Sequence, residues 1–161
     1  MAQSVEAQIE AFLARYSSEV SAQLRAARVH LRSLFPRGHE LVYDNYNALV
    51  FAFSPTERTP EAFLSIAGYP KWVTLFFLPG VGLNDPTGLL QGSGIKVRSI
   101  RLTSAEQLAE PAVHALVAQA IAPHQQALAQ AELLQTTIKL VSPKQRPRGP
   151  AGRQAKRENA A

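Results

Sequence analysis

The spacing of apolar residues changes once along the chain, near Pro36, from the period of a helix to the period of a strand. Before Pro36, apolar residues recur at helical spacing over residues 5–16 and 20–35, which predicts two amphipathic helices in a hairpin. After Pro36, short alternating or continuous apolar runs predict five strands, the fourth of them central in the sheet because both of its faces are apolar. These runs are ELVY (40–43), ALVFAFS (48–54), AFLSIAGY (62–69), WVTLFFL (72–78) and IKVRSIRL (95–102).

Helical spacing returns after the fifth predicted strand. Pro111 suits a first helical turn, and a last helix is expected from about His124 to Ile138. Strands and helices do not alternate along the chain, so the pattern favours an α+β fold. We expect an N-terminal helical hairpin, a five-stranded, mostly antiparallel sheet and C-terminal helices.

The formal net charge of +5 comes from the end of the chain. Residues 1–138 contain ten Lys and Arg against eleven Asp and Glu, whereas residues 139–161 contain seven basic residues and one acidic residue, Glu158. This last segment is rich in Pro and Gly and poor in large apolar residues, so it cannot bury enough surface to order itself. The sequence therefore predicts an α+β domain, residues 1–138, followed by a basic disordered tail, residues 139–161.

Several functions are excluded by what the sequence lacks. It has no cysteine, which excludes disulfides, thiolate catalysis and cysteine-bound metals and fits a cytoplasmic location. We expect no signal peptide and no membrane segment, since the longest apolar run, residues 72–83, is short and contains Pro79. There is no G-x-S-x-G motif and no paired-histidine metal motif, so the sequence favours a non-enzymatic domain.

A glycine-rich stretch with nearby positive charge, LLQGSGIKVRSIRL (89–102), has two interpretations. In the first, Asp85 and Pro86 begin a short helix. Gly92 then ends that helix in a left-handed conformation, and Gly94 opens the fifth strand. In the second, the glycine backbone binds a phosphate, but a phosphate loop needs a strand before the glycines and a helix after them. The order is reversed in this chain, which favours the first interpretation.

Polar and aromatic residues around the turn between the first two predicted strands predict a small ligand pocket. The turn offers hydroxyls, amides and aromatic faces, and Lys96 and Arg98 would share one face of the fifth strand, where two cations can hold a carboxylate or phosphate. In the alternative interpretation the aromatics belong to the core, the asparagines only suit the turn, and the cations are solvated. The candidate ligand-binding residues are Tyr43, Asn45, Tyr46, Asn47, Trp72, Lys96 and Arg98.

Three stretches together resemble one known family. They are EAQIEAFLARY, HELVYDNYNALVFAFSP and YPKWVTLFFLPGVGLNDPTGLLQGSGIKVRSIRL, and a closing amphipathic helix follows them. Over about residues 4–122 the chain resembles the YdhG-like family, a bacterial domain of unknown function. The resemblance implies an α+β domain with a curved antiparallel sheet beside helices. It also implies one concrete activity, a frataxin-like iron-binding chaperone, because some relatives have been linked to iron handling.

Iron would require hard oxygen ligands such as carboxylates. Glu40 and Asp44 flank the first strand turn, and two more glutamates follow in the next loop; the alternative is that all four are solvated surface groups. The histidines are scattered without metal-binding spacing, so the sequence assigns no metal ligands. The residues considered are Glu40, Asp44, Glu57, Glu61, His30, His39, His114 and His124.

Binding is the expected function: a small anionic ligand or a protein partner would contact the sheet face and the 43–47 hairpin. The first alternative is the iron-binding chaperone that the resemblance implies. The second is a module whose basic tail contacts nucleic acid or an acidic partner. No aromatic residues are interleaved with the Lys and Arg of residues 139–161, so nucleic-acid binding by the tail would be weak, sequence-independent and sensitive to salt.

Overall fold

Two helices open the computed structural model, which describes residues 3–149. They are α1, Val5–Leu13, and α2, Ser18–Leu34. A serine hydroxyl precedes each helix and accepts a backbone hydrogen bond, Ser4 from Ala7 at 3.1 Å and Ser17 from Val20 at 3.2 Å. Such caps satisfy amide groups that have no partner inside the helix. The predicted N-terminal helices are confirmed.

Six strands form one mixed sheet with the order β5-β4-β3-β2-β1-β6. Neighbouring strands are antiparallel except β1 and β6, which are parallel. The α+β fold is confirmed, but the sheet has six strands instead of five, and β4 lies next to an edge strand and not at the centre. The strands are β1 His39–Asp44, β2 Leu49–Ser54, β3 Leu64–Gly68, β4 Val73–Phe77, β5 Arg98–Leu102 and β6 Gln135–Val141.

Two further helices follow β5, as predicted. They are α3, Pro111–Ile121, and α4, Gln125–Gln130, joined by the 3-10 turn Ala122–His124. Shorter 3-10 helices lie at Thr59–Glu61 and Ala105–Ala109. Within residues 3–149, none of the helices is long and apolar enough to cross a membrane.

The predicted last helix, from His124 to Ile138, is wrong beyond residue 130. α4 ends at Gln130, and residues 135–141 form β6. Their sequence, QTTIKLV, is rich in β-branched residues, which favour strands. Pairing with β6 also satisfies the outer backbone groups of β1, which would otherwise lack partners. Tertiary contacts therefore override the local helical pattern.

A C-terminal segment, residues 142–149, runs beside the first hairpin although the sequence predicts disorder there. Its backbone donates hydrogen bonds from Ser142 to Asp44 at 2.8 Å and from Arg146 to Tyr46 at 3.0 Å. Arg148 is buried and donates a hydrogen bond to the carboxylate of Asp44. The part of the predicted tail from residue 139 to 149 thus belongs to the folded domain. Residues 150–161 lie outside the described residues.

The sheet has one face toward the helices and one face away from them. On the helix-facing side Gly68 of β3 packs so closely on Leu24 of α2 that an added Cβ would lie 2.5 Å from Leu24 Cδ2. The opposite side, the open face, carries smaller and more polar residues. One row across the helix-facing side is Val42, Phe51, Ile66, Leu75 and Ile100, all buried, and one row across the open face is Tyr43, Val50, Ala67, Thr74 and Arg101.

Two carboxylates that the sequence allowed as surface groups are buried. Glu40 accepts hydrogen bonds from Arg28 Nε at 2.9 Å, from Arg32 at 2.5 Å and from the Thr136 hydroxyl at 2.8 Å. Asp44 is paired with the C-terminal segment as described above. Both side chains are fully buried, a state that charged groups tolerate only with such partners. These ion pairs tie β1 to α2, to β6 and to the C-terminal segment.

The glycine-rich stretch forms turns, and the predicted short helix is absent from it. Asp85 accepts hydrogen bonds from Leu89 N and Leu90 N, both at 2.9 Å, as a capping residue would. Gly88, at φ 68°, closes a turn that does not continue into a helix. Gly92 has a positive φ of 129°, as predicted, but β5 begins only at Arg98.

Candidate functional site

A cleft of about 670 Å³ opens between the loop after β2, the turn after β4 and α4. This volume is in the range of small-molecule sites. Its polar side chains are those of Thr56, Glu61, Lys96, His124 and Gln130. Its apolar walls are Pro55, Pro60, Ala62, Phe63, Pro79 and Ala127.

Phe63 forms a fixed apolar wall of the cleft. It is almost fully buried, and its ring contacts Phe35 edge-on, with the ring centroids 5.3 Å apart. Phe35 packs in turn on Phe53 at 5.1 Å. The ring of His124 stacks on Phe63 at 4.6 Å with 16° between the planes. The core therefore holds both rings in place without any ligand.

His124 is neutral at neutral pH because burial lowers its pKa below the ordinary histidine value of 6.5. Burial acts in this direction because it disfavours the charged imidazolium. A neutral imidazole can both donate and accept a hydrogen bond. His124 therefore offers the cleft a polar group without a positive charge.

Glu61 supplies negative charge at the loop side of the cleft. The hydroxyl of Thr56 donates a hydrogen bond to its carboxylate. The same hydroxyl accepts a hydrogen bond from Arg58 N at 3.2 Å, and Thr56 N donates to Ser54 Oγ at 3.2 Å. The loop thus fixes the carboxylate by its own hydrogen bonds.

Lys96 supplies positive charge to the cleft. Its backbone carbonyl accepts hydrogen bonds from Gly80 N at 2.8 Å and Val81 N at 3.1 Å, which anchor the segment before β5 to the turn after β4. The side chain is exposed and makes no ion pair with any residue in the range 3–149. Its ammonium group is therefore available to an anion in the cleft.

The hairpin residues predicted to bind a ligand contact other parts of the chain. The hydroxyl of Tyr43 lies 2.5 Å from Thr59 Oγ1 and so supports the loop that carries Glu61. The carbonyl of Asn45 accepts from Arg148, the carbonyl of Tyr46 from Arg146 N, and the side chain of Asn47 from the Arg146 guanidinium at 3.4 Å. The C-terminal segment thus lies against the hairpin, where it contacts the backbone carbonyls of Asn45 and Tyr46 and the side chain of Asn47.

The other predicted residues lie in two separate places. Trp72 is on the open face of the sheet, where its ring contacts Arg101 and Tyr69. Arg98 is in the helix-facing row opposite Phe77 and donates to Gly94 O at 2.6 Å and Val97 O at 2.8 Å. Lys96 precedes the strand and lines the cleft, so the two cations do not form the pair that strand alternation predicts.

Sequence reasoning did not find the residues that accompany Lys96 in the cleft. His124 and Phe63 are far apart along the chain, and their stacking is a tertiary contact without a local pattern. Glu61 was considered only as a metal ligand. One local signal existed: the prolines at 55, 60 and 123 mark rigid turns, and such turns often carry binding groups.

The described part of the chain contains no cluster of side chains that could coordinate iron. No three His, Asp or Glu side chains of residues 3–149 lie close enough together to hold a metal ion. Glu40 and Asp44, two of the candidate oxygen ligands, are engaged by arginines. The geometry therefore adds nothing to the iron-binding role that the resemblance implies.

Comparison with known proteins gives no relative from which a function could be carried over. No protein-family model, no curated protein and no solved structure matches the chain.

Proposed function

We propose that this chain is a non-enzymatic binding domain whose cleft takes a small molecule with an anionic group and an apolar body. The observation that carries the proposal is the ammonium group of Lys96, which lines an apolar cleft and has no ion-pair partner within residues 3–149. A carboxylate or phosphate pairs with Lys96 while the rest of the ligand packs on the prolines and alanines of the cleft walls.

The other polar groups narrow the class of ligand. Glu61 repels a second anionic group nearby, and it accepts a hydrogen bond from an amine or hydroxyl instead. His124, neutral because burial lowers its pKa, exchanges one hydrogen bond with the ligand and does not add charge. The cleft therefore favours a monoanion that also carries a hydrogen-bond donor, such as a hydroxy acid or an amino acid, over a polyanion.

The hydrogen bonds of the Thr56 hydroxyl support a cleft that binds a ligand without catalysing a reaction. Thr56 has the one hydroxyl among the described lining residues, and Glu61 and the backbone of Arg58 engage it. A nucleophile would need a base that accepts its proton and room for an electrophile beside it. In the cleft, the Thr56–Glu61 hydrogen bond serves to hold the loop.

Thermal unfolding against a ligand panel tests the proposal. The panel contains monocarboxylates, phosphomonoesters, hydroxy acids and amino acids. A ligand at a hundred times its dissociation constant adds about 2.7 kcal/mol, which raises the melting temperature by several degrees. Lys96→Gln is expected to remove the shift, and Lys139→Gln, an exposed lysine on β6, is the matched control. A shift that persists in Lys96→Gln would contradict the proposal.

Three broader statements belong to the same proposal. The resemblance of residues 4–122 supports membership of the YdhG-like family, and the open face of the sheet is the surface on which a protein partner would bind. The absence of cysteine supports a reducing compartment such as the cytoplasm. None of these statements depends on the identity of the ligand in the cleft.

A further inference from the structure

The open face of the sheet carries a second hollow, of about 310 Å³, near the β5 edge. It shares no lining residue with the cleft that holds Lys96. We refer to it as the sheet-face hollow. Apart from Gln91, its walls are aromatic, hydroxyl-bearing or cationic side chains: Tyr69, Trp72, Thr74, Phe76, Ser99 and Arg101.

Arg101 lies over the indole ring of Trp72, with its Cζ atom 4.0 Å from the ring centroid. Trp72 packs against Tyr69, with 5.7 Å between the ring centroids and 30° between the planes. Arg101 is exposed and makes no ion pair with the described residues, 3–149. A guanidinium held on an aromatic ring keeps its N–H donors and its outer planar face available to a ligand.

The strand that carries Arg101 is paired on both sides. Gln91 pairs with the outer edge of β5 through two hydrogen bonds, Gln91 N to Ser99 O at 2.8 Å and Ser99 N to Gln91 O at 2.9 Å. Thr74 of β4 is the cross-strand partner of Arg101. The two aromatic residues lie in the turn between β3 and β4, where Tyr69 N donates a hydrogen bond to Trp72 O at 2.8 Å. The cation and the rings are thus presented together on one sheet face, as in sheets that stack nucleic-acid bases.

One further exposed cation lies beside the sheet-face hollow, in the turn between β3 and β4. Lys71, next to Trp72, lines a neighbouring depression in which Glu19 is the one carboxylate among the described lining residues. Arg148 also lines this depression, but its charge is paired with Asp44.

We propose that the sheet-face hollow binds single-stranded nucleic acid. Unpaired bases stack on the Arg101 plane and on the rings of Trp72 and Tyr69. Backbone phosphates contact the cationic groups of Arg101 and Lys71. This inference does not depend on the function proposed for the cleft.

Charge and shape favour this ligand over two others. An acidic peptide would use the cations but would leave the aromatic surface without a planar partner. A duplex keeps its base faces inside its own stack, so it would contact only the charges. A single strand uses both features at once.

Trp72 is the only tryptophan, so its fluorescence reports directly on the sheet-face hollow. Titration of the full chain with oligothymidylate of about twelve nucleotides, within known single-strand site sizes, is expected to quench this fluorescence to saturation. The dissociation constant is expected to rise with salt concentration. Arg101→Ala should weaken binding by about tenfold or more. Arg101→Lys keeps the positive charge but removes the planar guanidinium on which a base can stack, and it should weaken binding by a similar factor.

Lys139→Ala is the matched control, because it removes one exposed charge from β6 at the opposite edge of the sheet. It should change the dissociation constant by less than about twofold. Polyphosphate and polyglutamate serve as anions without bases. The proposal is overturned if oligothymidylate does not quench Trp72, if Arg101→Lys binds as tightly as the wild type, or if either base-free anion quenches and competes equally well. Unchanged melting temperatures of the variants establish that they are folded.

Discussion

Arg148 donates a hydrogen bond to the carboxylate of Asp44, 104 residues earlier in the chain, and both side chains are buried. The same guanidinium donates to the carbonyl of Asn45 and lies 5.4 Å from the centroid of the Tyr16 ring. A residue beyond the last strand thus completes the core beside the first hairpin. The folded part of the chain therefore extends beyond the last strand, where this ion pair holds it against the hairpin.

Arg148→Ala is expected to destabilise the domain by about 3 kcal/mol or more, because it leaves the buried carboxylate of Asp44 without its closest cation. The matched control is Arg146→Ala, an exposed arginine two residues earlier, for which we expect a change below about 0.5 kcal/mol. Urea unfolding measures both free energies of unfolding. Equal stability of the two variants would show that the segment 142–149 does not hold the hairpin.

Acid should weaken the fold in part through Glu6. Hydrogen bonds from Arg28, at 3.0 and 2.9 Å, lower the pKa of Glu6 below its ordinary value of 4.5, although partial burial opposes this. A lowered pKa in the folded state contributes stability that is present above the unfolded pKa, near 4.5, and is lost as the pH falls below it.

The free energy of unfolding of Glu6→Gln should therefore be lower at neutral pH and should fall less steeply in acid than that of the wild type. Glu106→Gln, an exposed glutamate without an ion pair in the described residues, is the control. Urea unfolding at pH values on both sides of 4.5 measures how steeply the free energy of unfolding of each protein falls with pH. A Glu6→Gln slope identical to that of the wild type would contradict the role of this hydrogen bond.

Alkali should weaken the fold through Tyr16. Burial raises the pKa of its hydroxyl to about 12, and the hydroxyl donates to Gly68 O at 2.6 Å and accepts from Leu49 N at 3.0 Å. A raised pKa contributes stability that is complete below the unfolded pKa of 10 and is lost as the pH rises toward 12. Tyr16→Phe should cost about 1–3 kcal/mol at neutral pH, because Leu49 N is left without its partner.

Tyr16→Phe should also lose less stability above pH 10 than the wild type does. Chemical unfolding at several alkaline pH values measures this loss. Tyr46→Phe, an exposed tyrosine, should follow the wild-type profile. If Tyr16→Phe and Tyr46→Phe lost stability equally above pH 10, the buried hydroxyl would not be the cause.

The helices and the first five strands could be predicted because their signals are local. Apolar residues at helical spacing predict the two N-terminal helices, which are confirmed and which begin after the capping residues Ser4 and Ser17. The sequence analysis misses β6: its β-branched residues are a local strand signal, but the parallel pairing with β1 that completes the strand is a tertiary contact. The burial of Glu40 depends likewise on arginines from another element.

The candidate site was predictable only in part, for the same reason. Lys96 was identified from its charge next to glycines, and it does line the cleft. The expected partnership of Lys96 with Arg98 fails because β5 begins two residues after Lys96. Glu61 and His124 reach the cleft through a loop and a helix end whose positions depend on the whole fold.

Gly80→Ala should disturb the cleft, although Gly80 itself does not line it. An added Cβ would lie 2.6 Å from Arg98 Cβ and 2.8 Å from Arg98 N, so the segment that carries Lys96 must move. We expect a destabilisation of about 1–3 kcal/mol from this overpacking, together with weaker ligand binding. Gly94→Ala is the control in the same segment, because nothing lies within 4 Å of its added Cβ. Thermal unfolding and titration with a ligand of the cleft distinguish the two variants.

Calorimetric titration of the strongest ligand from the panel into the wild type, Lys96→Gln and Lys139→Gln tests the central claim most directly. Loss of one charge-assisted contact predicts a dissociation constant about tenfold higher for Lys96→Gln, with Lys139→Gln equal to the wild type. Equal binding by all three proteins would contradict a cleft that selects its ligand through the ammonium group of Lys96.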